Sequence, residues 1–382
     1  MKKTTLFIMA CLFISHTTFA QTPATDPHWQ LKWEDEFNGT LVNTTKWGFM
    51  PDWGYCGYGA HNTIPPPSGN GTNHVVSNGT IKLISKKETT VCTEWNQVTS
   101  IKDYTTGVLI SQEAWKYGFF EIRCKIPEIS KDYSCYGFQT NFWLWPFYQG
   151  AYDGYVTWSE IDIFEIVVDS NLLGESNLHS CNAHYKDRSH VNTPASSAAE
   201  HIYPDGYKFI VDFTDFHKFS CEWTPSDIRF YFDDKLFRIA SPEFASKLIP
   251  MNIFIDIGTP RLLNDTVFAT FKPNALFPYT YEIDYVKVYN LKCNKNTVVN
   301  EISNFNTYNY AVKKSISMSN ATTIPPNSNI SLRATDFIEL KAGFEVPLGS
   351  ELYLDITSCE MSPLPPVIIV PGIILPGVKK SP

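Results

Sequence analysis

The stretch that decides the fold is Trp158-Ser159-Glu160-Ile161-Asp162-Ile163-Phe164-Glu165. Polar and apolar residues alternate from Glu160 to Ile163, the period of a strand with one wet face and one dry face. Glu160 and Asp162 share the wet face; Ile161 and Ile163 share the other. Glu165 has the wrong parity. It joins the acidic face only if one extra residue, near Ile163 or Phe164, is absorbed in a β-bulge, a device that re-aims side chains beside active sites. Like charges so close raise one another's pKa values, a cost with no structural reward.

Working outward, residues from Trp29 to about Leu291 read as short strands parted by Gly, Pro, Asn and Asp. Thr80 to Ser85, Gly118 to Ile126, Ser159 to Val168, Ile228 to Phe232 and Tyr281 to Tyr289 are examples. Asp233-Asp234 reads as a hairpin turn, and Pro242 to Leu248 as one short helical turn. The expected fold is all-β: a jelly-roll β-sandwich followed by a small C-terminal β module.

The expected divisions are a leader at 1–20, the sandwich at 21–292, a linker or lead-in at 293–320, a β-repeat module at 321–360 and a Pro-rich tail at 361–382. The leader has Lys2 and Lys3, an apolar run from Leu6 to Ile14 and Thr18-Phe19-Ala20 as a cleavage site, so the chain is expected to be secreted. In the module, Ile324-Pro325-Pro326 through Leu332 aligns with Val346-Pro347-Leu348 through Leu354, with Phe337 to Leu340 between them. This implies stacked short strands joined by tight turns. Its expected core is Ile324, Ile330, Leu332, Phe337, Leu340, Val346, Leu352 and Leu354. The segment through Leu340-Lys341-Ala342-Gly343-Phe344 also resembles a C-terminal β module of secreted Bacteroidetes proteins. It carries no acid cluster and no histidine, which assigns it an accessory role.

Composition narrows the function. Among the 382 residues, 15% are aromatic, 18% are charged and the net charge is -8. Such a chain is not disordered and has no basic stripe for nucleic acid. The leader is too short to span a bilayer and the tail prolines forbid a regular helix, so no membrane span is expected. Of nine cysteines, Cys11 falls in the leader, leaving Cys56, Cys92, Cys124, Cys135, Cys181, Cys221, Cys293 and Cys359 for disulfides of unspecified connectivity. Cys293 and Cys359 are expected to bracket and staple the module. His179, Cys181 and His184 lack a second element with zinc spacing, so no metal site is assigned there.

Glycoside hydrolysis explains the acids. A retaining enzyme needs two carboxyls about 5–5.5 Å apart, one attacking the anomeric carbon and one protonating the leaving oxygen. The segment resembles the signature of glycoside hydrolase family 16 in its bulged E-x-D-x-x-E version, as in laminarinases, agarases and carrageenases. That resemblance implies that Glu160 is the nucleophile, that Asp162 assists and that Glu165 is the acid/base. Trp33-Glu34-Asp35-Glu36-Phe37-Asn38-Gly39, Gly107 to Ser111, Tyr117 to Glu121, Phe142-Trp143-Leu144-Trp145-Pro146, Glu222 to Pro225, Asp233-Asp234-Lys235 and Asp284 to Tyr289 match in family order. The match runs over residues 29 to 291 and implies a concave sheet forming the cleft. Ser159 and Phe164 depart from the Gly and Met often found there. Glu282-Ile283-Asp284 repeats the first letters but lacks the second Glu.

Sugars present flat C–H faces, so subsites are built from rings with polar edges. Trp143, Trp145 and Trp158 flank the acids; Trp158 shares the parity of Glu160, whereas cleft and core remain open for Trp143 and Trp145. Trp53, Tyr55 and Tyr58 are read as a turn or a rim. His184 is read as a substrate ligand or a surface histidine.

The expected activity is retaining endo-hydrolysis of a β-linked polysaccharide, foremost β-1,3- or mixed-linkage glucan. A marine galactan (agar, porphyran or carrageenan) is the alternative substrate, for which Lys186, Arg188 and Arg261 would be available cations. A transglycosylase and a lectin-like binding protein are the alternatives on the same fold. No cofactor is required by this chemistry, a structural calcium ion is compatible with it, and a monomer is expected.

Overall fold

The computed structural model describes residues 22–23, 28–49, 61–63, 73–93, 99–126, 139–146, 157–167, 178–187, 196–197, 215–225, 227–240, 244–258, 277–305, 308–319, 324–326 and 328–356. The described residues form two compact units, residues 28–292 and, with residues 22–23, residues 293–356. No described helix is long and apolar enough to cross a membrane.

The first unit is made of β1 (Trp29–Asp35), β2 (Trp47–Gly48), β3 (His61–Thr63), β4 (His74–Ser77), β5 (Thr80–Thr93), β6 (Thr99–Thr106), β7 (Val108–Trp115), β8 (Gly118–Lys125) and β9 (Gln139–Trp145). It continues through β10 (Thr157–Val167), β11 (Leu178–Asp187), β12 (Ser196–Ser197), β13 (His217–Trp223), β14 (Ile228–Phe232), β15 (Lys235–Ala240), β16 (Met251–Gly258) and β17 (Tyr279–Leu291). The expected helical turn appears as a 3-10 turn at Ala245–Lys247.

Ten of these strands make one sheet, in the order β15-β14-β13-β8-β17-β5-β6-β3, with β1 on β17 and β4 on β5. Seven make the other, β12-β11-β10-β9-β16-β7-β2. Their facing sides share one hydrophobic core. The seven-stranded sheet contributes Phe142, Leu144, Ile161, Ile163, Phe164, Ile166, Ile253 and Ile255; the ten-stranded sheet contributes Phe120, Ile122, Phe219, Phe230, Tyr281, Val286 and Val288. Burying each such side chain stabilises by about 1.5–3 kcal/mol. This is the expected jelly-roll sandwich.

The chain crosses between the sheets where β6 runs into β7, at Gly107. A Cβ there would lie 2.5 Å from the Asn73 carbonyl oxygen and 3.1 Å from His74 Nε2. Only glycine permits that approach. His74 Nε2 accepts from the Val108 amide at 3.1 Å, and burial pushes this imidazole down to about pKa 4. The hairpin at Asp233 and Asp234 has positive φ at both residues, the turn that suits right-twisted strands.

The second unit is a parallel sheet of β18 (Cys293–Val299), β19 (Val312–Met318), β20 (Asn329–Leu340) and β21 (Glu351–Ile356). Asn329 stands against Glu351 and Ala334 against Ile356, an offset of 22 residues that matches the sequence repeat. Two turns carry glycine at positive φ, Gly343 and Gly349, each closed by a backbone hydrogen bond, Phe344 N to Lys341 O and Ser350 N to Pro347 O.

Residues of the stretch 293–320, expected as a linker or lead-in, supply the first two strands of this sheet, β18 and β19. Ile302, Phe305, Ile316 and Met318 of the same stretch lie in the unit's core with Ile324, Ile330 and Leu332. The expected core was half right. Leu352 packs against it, but Phe337, Leu340, Val346 and Leu354 are exposed: Phe337 faces away from the side that Ile338 gives to the core, and Leu354, on the same face as Leu352, stands on the edge strand β21. Cys293 is disulfide-bonded; Cys359, and any pairing with it, lies outside the described residues. Cys124, Cys181 and Cys221 are buried free thiols, so these three take no part in disulfides.

Candidate active site

Strand β10 runs through the middle of the seven-stranded sheet between β9 and β11. Against β11, Asp162 pairs with Asn182 and Glu165 with Ser180: three steps on one strand match two on the other. Against β9, Asp162 pairs with Trp143 and Phe164 with Phe142, which places the extra residue at Ile163. The bulge required by the sequence is present. Ile161, Ile163, Phe164 and Ile166 all enter the core, so Glu160, Asp162 and Glu165 all stand on the opposite, outer side of this sheet.

The departures from the family pattern have local causes. Phe164 is fully buried, its ring 4.4 Å from Phe219 and 6.2 Å from Phe142 between centroids. Ser159 is buried on the core side, where its Oγ accepts from the Ile249 amide at 3.3 Å. The repeated letters at Glu282 and Asp284 are spent on pairing. Glu282 bonds Thr80 and Lys82, and Asp284 pairs with Arg123.

Ladder partners share a face, and this extends the site across five strands. One row reads Asn182, Asp162, Trp143, Phe254, Ile110; the next reads Glu165, Asn141, Asp256, Val108. Glu160 stands opposite His184. Trp143 and Trp145, open between cleft and core in the sequence, belong to the acidic face. Their rings lie 6.0 Å apart and Trp143 is 4.8 Å from Phe254, in an apolar cluster separate from the main core.

Asp162 is buried, and His184 Nε2 lies 3.3 Å from its Oδ2. A carboxylate only accepts, so the imidazole nitrogen donates. His184 is thus tied to the central acid beside Glu160. Glu165, partly exposed, accepts from Gln139 Nε2 at 2.9 Å. Asp256 accepts from Trp143 Nε1 at 2.8 Å and from Asn141 Nδ2 at 3.1 Å.

Trp158 lies in β10 opposite Lys186, but the side chains of both, and of His179, lie outside the described ones; so do Trp53, Tyr55, Tyr58, Arg188 and Arg261 altogether. Cys181 points into the core, where Arg238 donates to its carbonyl, away from the face that carries His184. Among the described residues no group of three His, Cys, Asp or Glu side chains is arranged to hold a metal ion.

Sequence reasoning missed Gln139, Asn141 and Asp256. Gln139 and Asn141 were within reach, since they share the parity of Trp143. Asp256 was signalled only as the one acid inside the apolar run Ile253-Phe254-Ile255-Asp256-Ile257.

An antiparallel sandwich with three carboxylates on one strand, beside indole rings on the next, is the layout of a glycoside hydrolase. More particularly, residues 69–258 match the model of Glycosyl hydrolases family 16, and the chain carries a domain of that family. It is 27% identical over 276 residues to glucan endo-1,3-beta-glucosidase A1 of Niallia circulans, covering 68% of this chain and 37% of that protein. The match thus spans little more than a third of that relative. It is 26% identical to the kappa-carrageenase of Pseudoalteromonas carrageenovora, over 75% of this chain and 72% of that one. Among solved structures, the endo-beta-1,3-glucanase of Pyrococcus furiosus superposes with a TM-score of 0.50 at 22% identity, over 70% of this chain and 96% of that one.

Proposed function

We propose that this protein is a retaining endo-β-glycosidase that cuts within a β-linked polysaccharide, with Glu160 as nucleophile and Glu165 as acid/base. The observation that carries the reading is the bulge at Ile163, which lets a strand put Glu160, Asp162 and Glu165 on one face. In the first step the Glu160 carboxylate attacks the anomeric carbon while Glu165 gives its proton to the leaving oxygen. In the second, Glu165 takes a proton from water, which displaces Glu160 and restores the starting configuration. Asp162, held by His184, fixes the nucleophile's side from two residues away. Trp143 and Trp145 supply the flat platform for sugar rings.

The substrate we favour is β-1,3- or mixed-linkage glucan, in keeping with the glucanases among the relatives. The carrageenase relative supports a galactan as second reading. Export through the leader at 1–20, action as a monomer and a disulfide between Cys293 and Cys359 belong to the same proposal.

The test is Glu160→Gln and Glu165→Gln, assayed by reducing ends released from laminarin, barley β-glucan, agarose, porphyran and κ-carrageenan. Each variant should keep its circular dichroism and lose turnover by about 10²-fold or more. Near-wild-type rates in either would remove the assignment. The polymer that wild type cuts names the substrate; binding without cutting would favour the lectin-like alternative.

A further inference from the structure

Asp256 lies two strands away from the acid/base, in the same row. Neighbouring strands are about 4.8 Å apart, and Asn141, the ladder partner of both, stands between Glu165 and Asp256. Asp256 accepts from Asn141 Nδ2 and from Trp143 Nε1. An amide has two ends of nearly equal size, and a carboxylate can face only the nitrogen. Asp256 therefore decides which way the Asn141 amide is turned: nitrogen towards β16, carbonyl oxygen away from it, on the side of Glu165. That Oδ1 is buried and has no hydrogen-bond partner. Leaving a buried acceptor unmet costs about 1–3 kcal/mol, so a donor that comes and goes accounts for it better than no donor at all.

We infer that Asp256 is a positioning residue for proton transfer, acting through Asn141 on Glu165. The inference rests on the reading of Glu165 as acid/base. In the free enzyme the protonated Glu165 donates its O–H to Asn141 Oδ1, while its other oxygen accepts from Gln139 Nε2. When a glycosidic oxygen arrives, the same proton turns from Asn141 to that oxygen. The anomeric C–O bond breaks, the proton leaves with the alcohol, and Glu165 remains as a carboxylate held by Gln139. With an amide at position 256 the preference is lost. Asn141 can then present Nδ2 to Glu165, which favours the deprotonated acid in the wrong orientation.

The experiment compares Asp256→Asn with wild type on aryl β-glycosides of an oligosaccharide cut from the polymer that wild type degrades. A dinitrophenolate leaves without protonation, whereas phenolate and the polymer need the acid, whose contribution is about 10²–10⁴-fold. Asp256→Asn should lose about 10–100-fold in kcat on polymer and phenyl glycoside and less than about threefold on the dinitrophenyl glycoside. Trp143→Phe, which removes the indole donor and part of the sugar platform but leaves Asn141 its bond to Asp256, should raise KM on all three alike. Equal losses on both aryl glycosides, or no loss on polymer, would overturn the inference. Glu165→Gln separates it from the reading beneath: if that variant also shows no split, the acid/base assignment fails; if it alone shows the split, only the role of Asp256 fails. A measurement without substrate stands beside these. In ¹⁵N-labelled protein the Asn141 side-chain amide, assigned by its disappearance in Asn141→Ala, should be protected from water exchange and lose that protection in Asp256→Asn. An unprotected amide in wild type would refute the fixed orientation.

Discussion

Phe164 lies directly beneath the acids, and removing its ring should disable the site by unseating it. The ring is fully buried and meets Phe219 at 4.4 Å, Phe142 at 6.2 Å and Tyr281 at 6.3 Å between centroids. It belongs to the core shared by both sheets, and its backbone lies beside the bulge that re-aims Glu165. Phe164→Ala should cost about 3–5 kcal/mol, the range for emptying an aromatic site in a core that cannot collapse. Part of that, about 0.5–1.5 kcal/mol per favourable ring pair, is lost edge-and-face contact. Phe164→Leu keeps most of the volume and should cost about 1–2 kcal/mol. In urea, with a slope of about 3 kcal/mol/M, the alanine midpoint should fall by about 1–1.7 M, read by tryptophan fluorescence. At low temperature, where the variant stays folded, kcat should drop by up to about 10²-fold, because a shift of about 1 Å in a catalytic group costs that much. A midpoint within about 0.3 M of wild type would refute the reasoning, since it would mean that the bulge is not seated on this ring.

Gly107→Ala should cost about 1–3 kcal/mol and lower the melting temperature by several degrees, because its Cβ would meet the Asn73 carbonyl at 2.5 Å; an unchanged melting point would contradict the close crossing. His74 makes stability depend on pH. The unfolded chain takes up this proton near pH 6.5, the folded chain not until about 4, so the stability present above 6.5 is lost as pH falls towards 4. Between pH 7 and 5 that is about 2 kcal/mol from this one group, and His74→Gln should flatten the pH profile by that amount. Thiol titration without reductant should find Cys124, Cys181 and Cys221 unreactive until the chain unfolds, and fewer than eight thiols even then, since Cys293 is disulfide-bonded. Eight thiols in the unfolded chain would refute it.

Where the chain obeys the two-residue period, its structure was legible. Alternation through Glu160-Ile161-Asp162 and the wrong parity of Glu165 together demanded a bulge, and the ladder places it at Ile163. The repeat between Ile324 and Leu354 foretold the offset of 22 residues. The faces of Trp143 and Trp145 were not legible, because an indole suits a core and a sugar platform equally well and only the partner strands break the tie. Residues 293–320 read as a lead-in for want of large apolar residues, yet Ile302, Phe305, Ile316 and Met318 suffice for one side of a narrow sheet. Asn141 and Asp256 meet only through the pairing of β9 with β16, more than 100 residues apart, a relation no local pattern reveals.

The central claim is that Glu160 attacks the anomeric carbon. Removing its side chain in Glu160→Gly leaves Glu165 able to protonate the leaving group but nothing to attack from the opposite face. Azide is small enough to take that place, and glycosyl azide formation can be followed by NMR with an aryl β-glycoside of the cleaved polymer. The account predicts that azide restores turnover and that the product is the α-glycosyl azide, with one inversion in place of two. No rescue, or a β-configured azide, would contradict it.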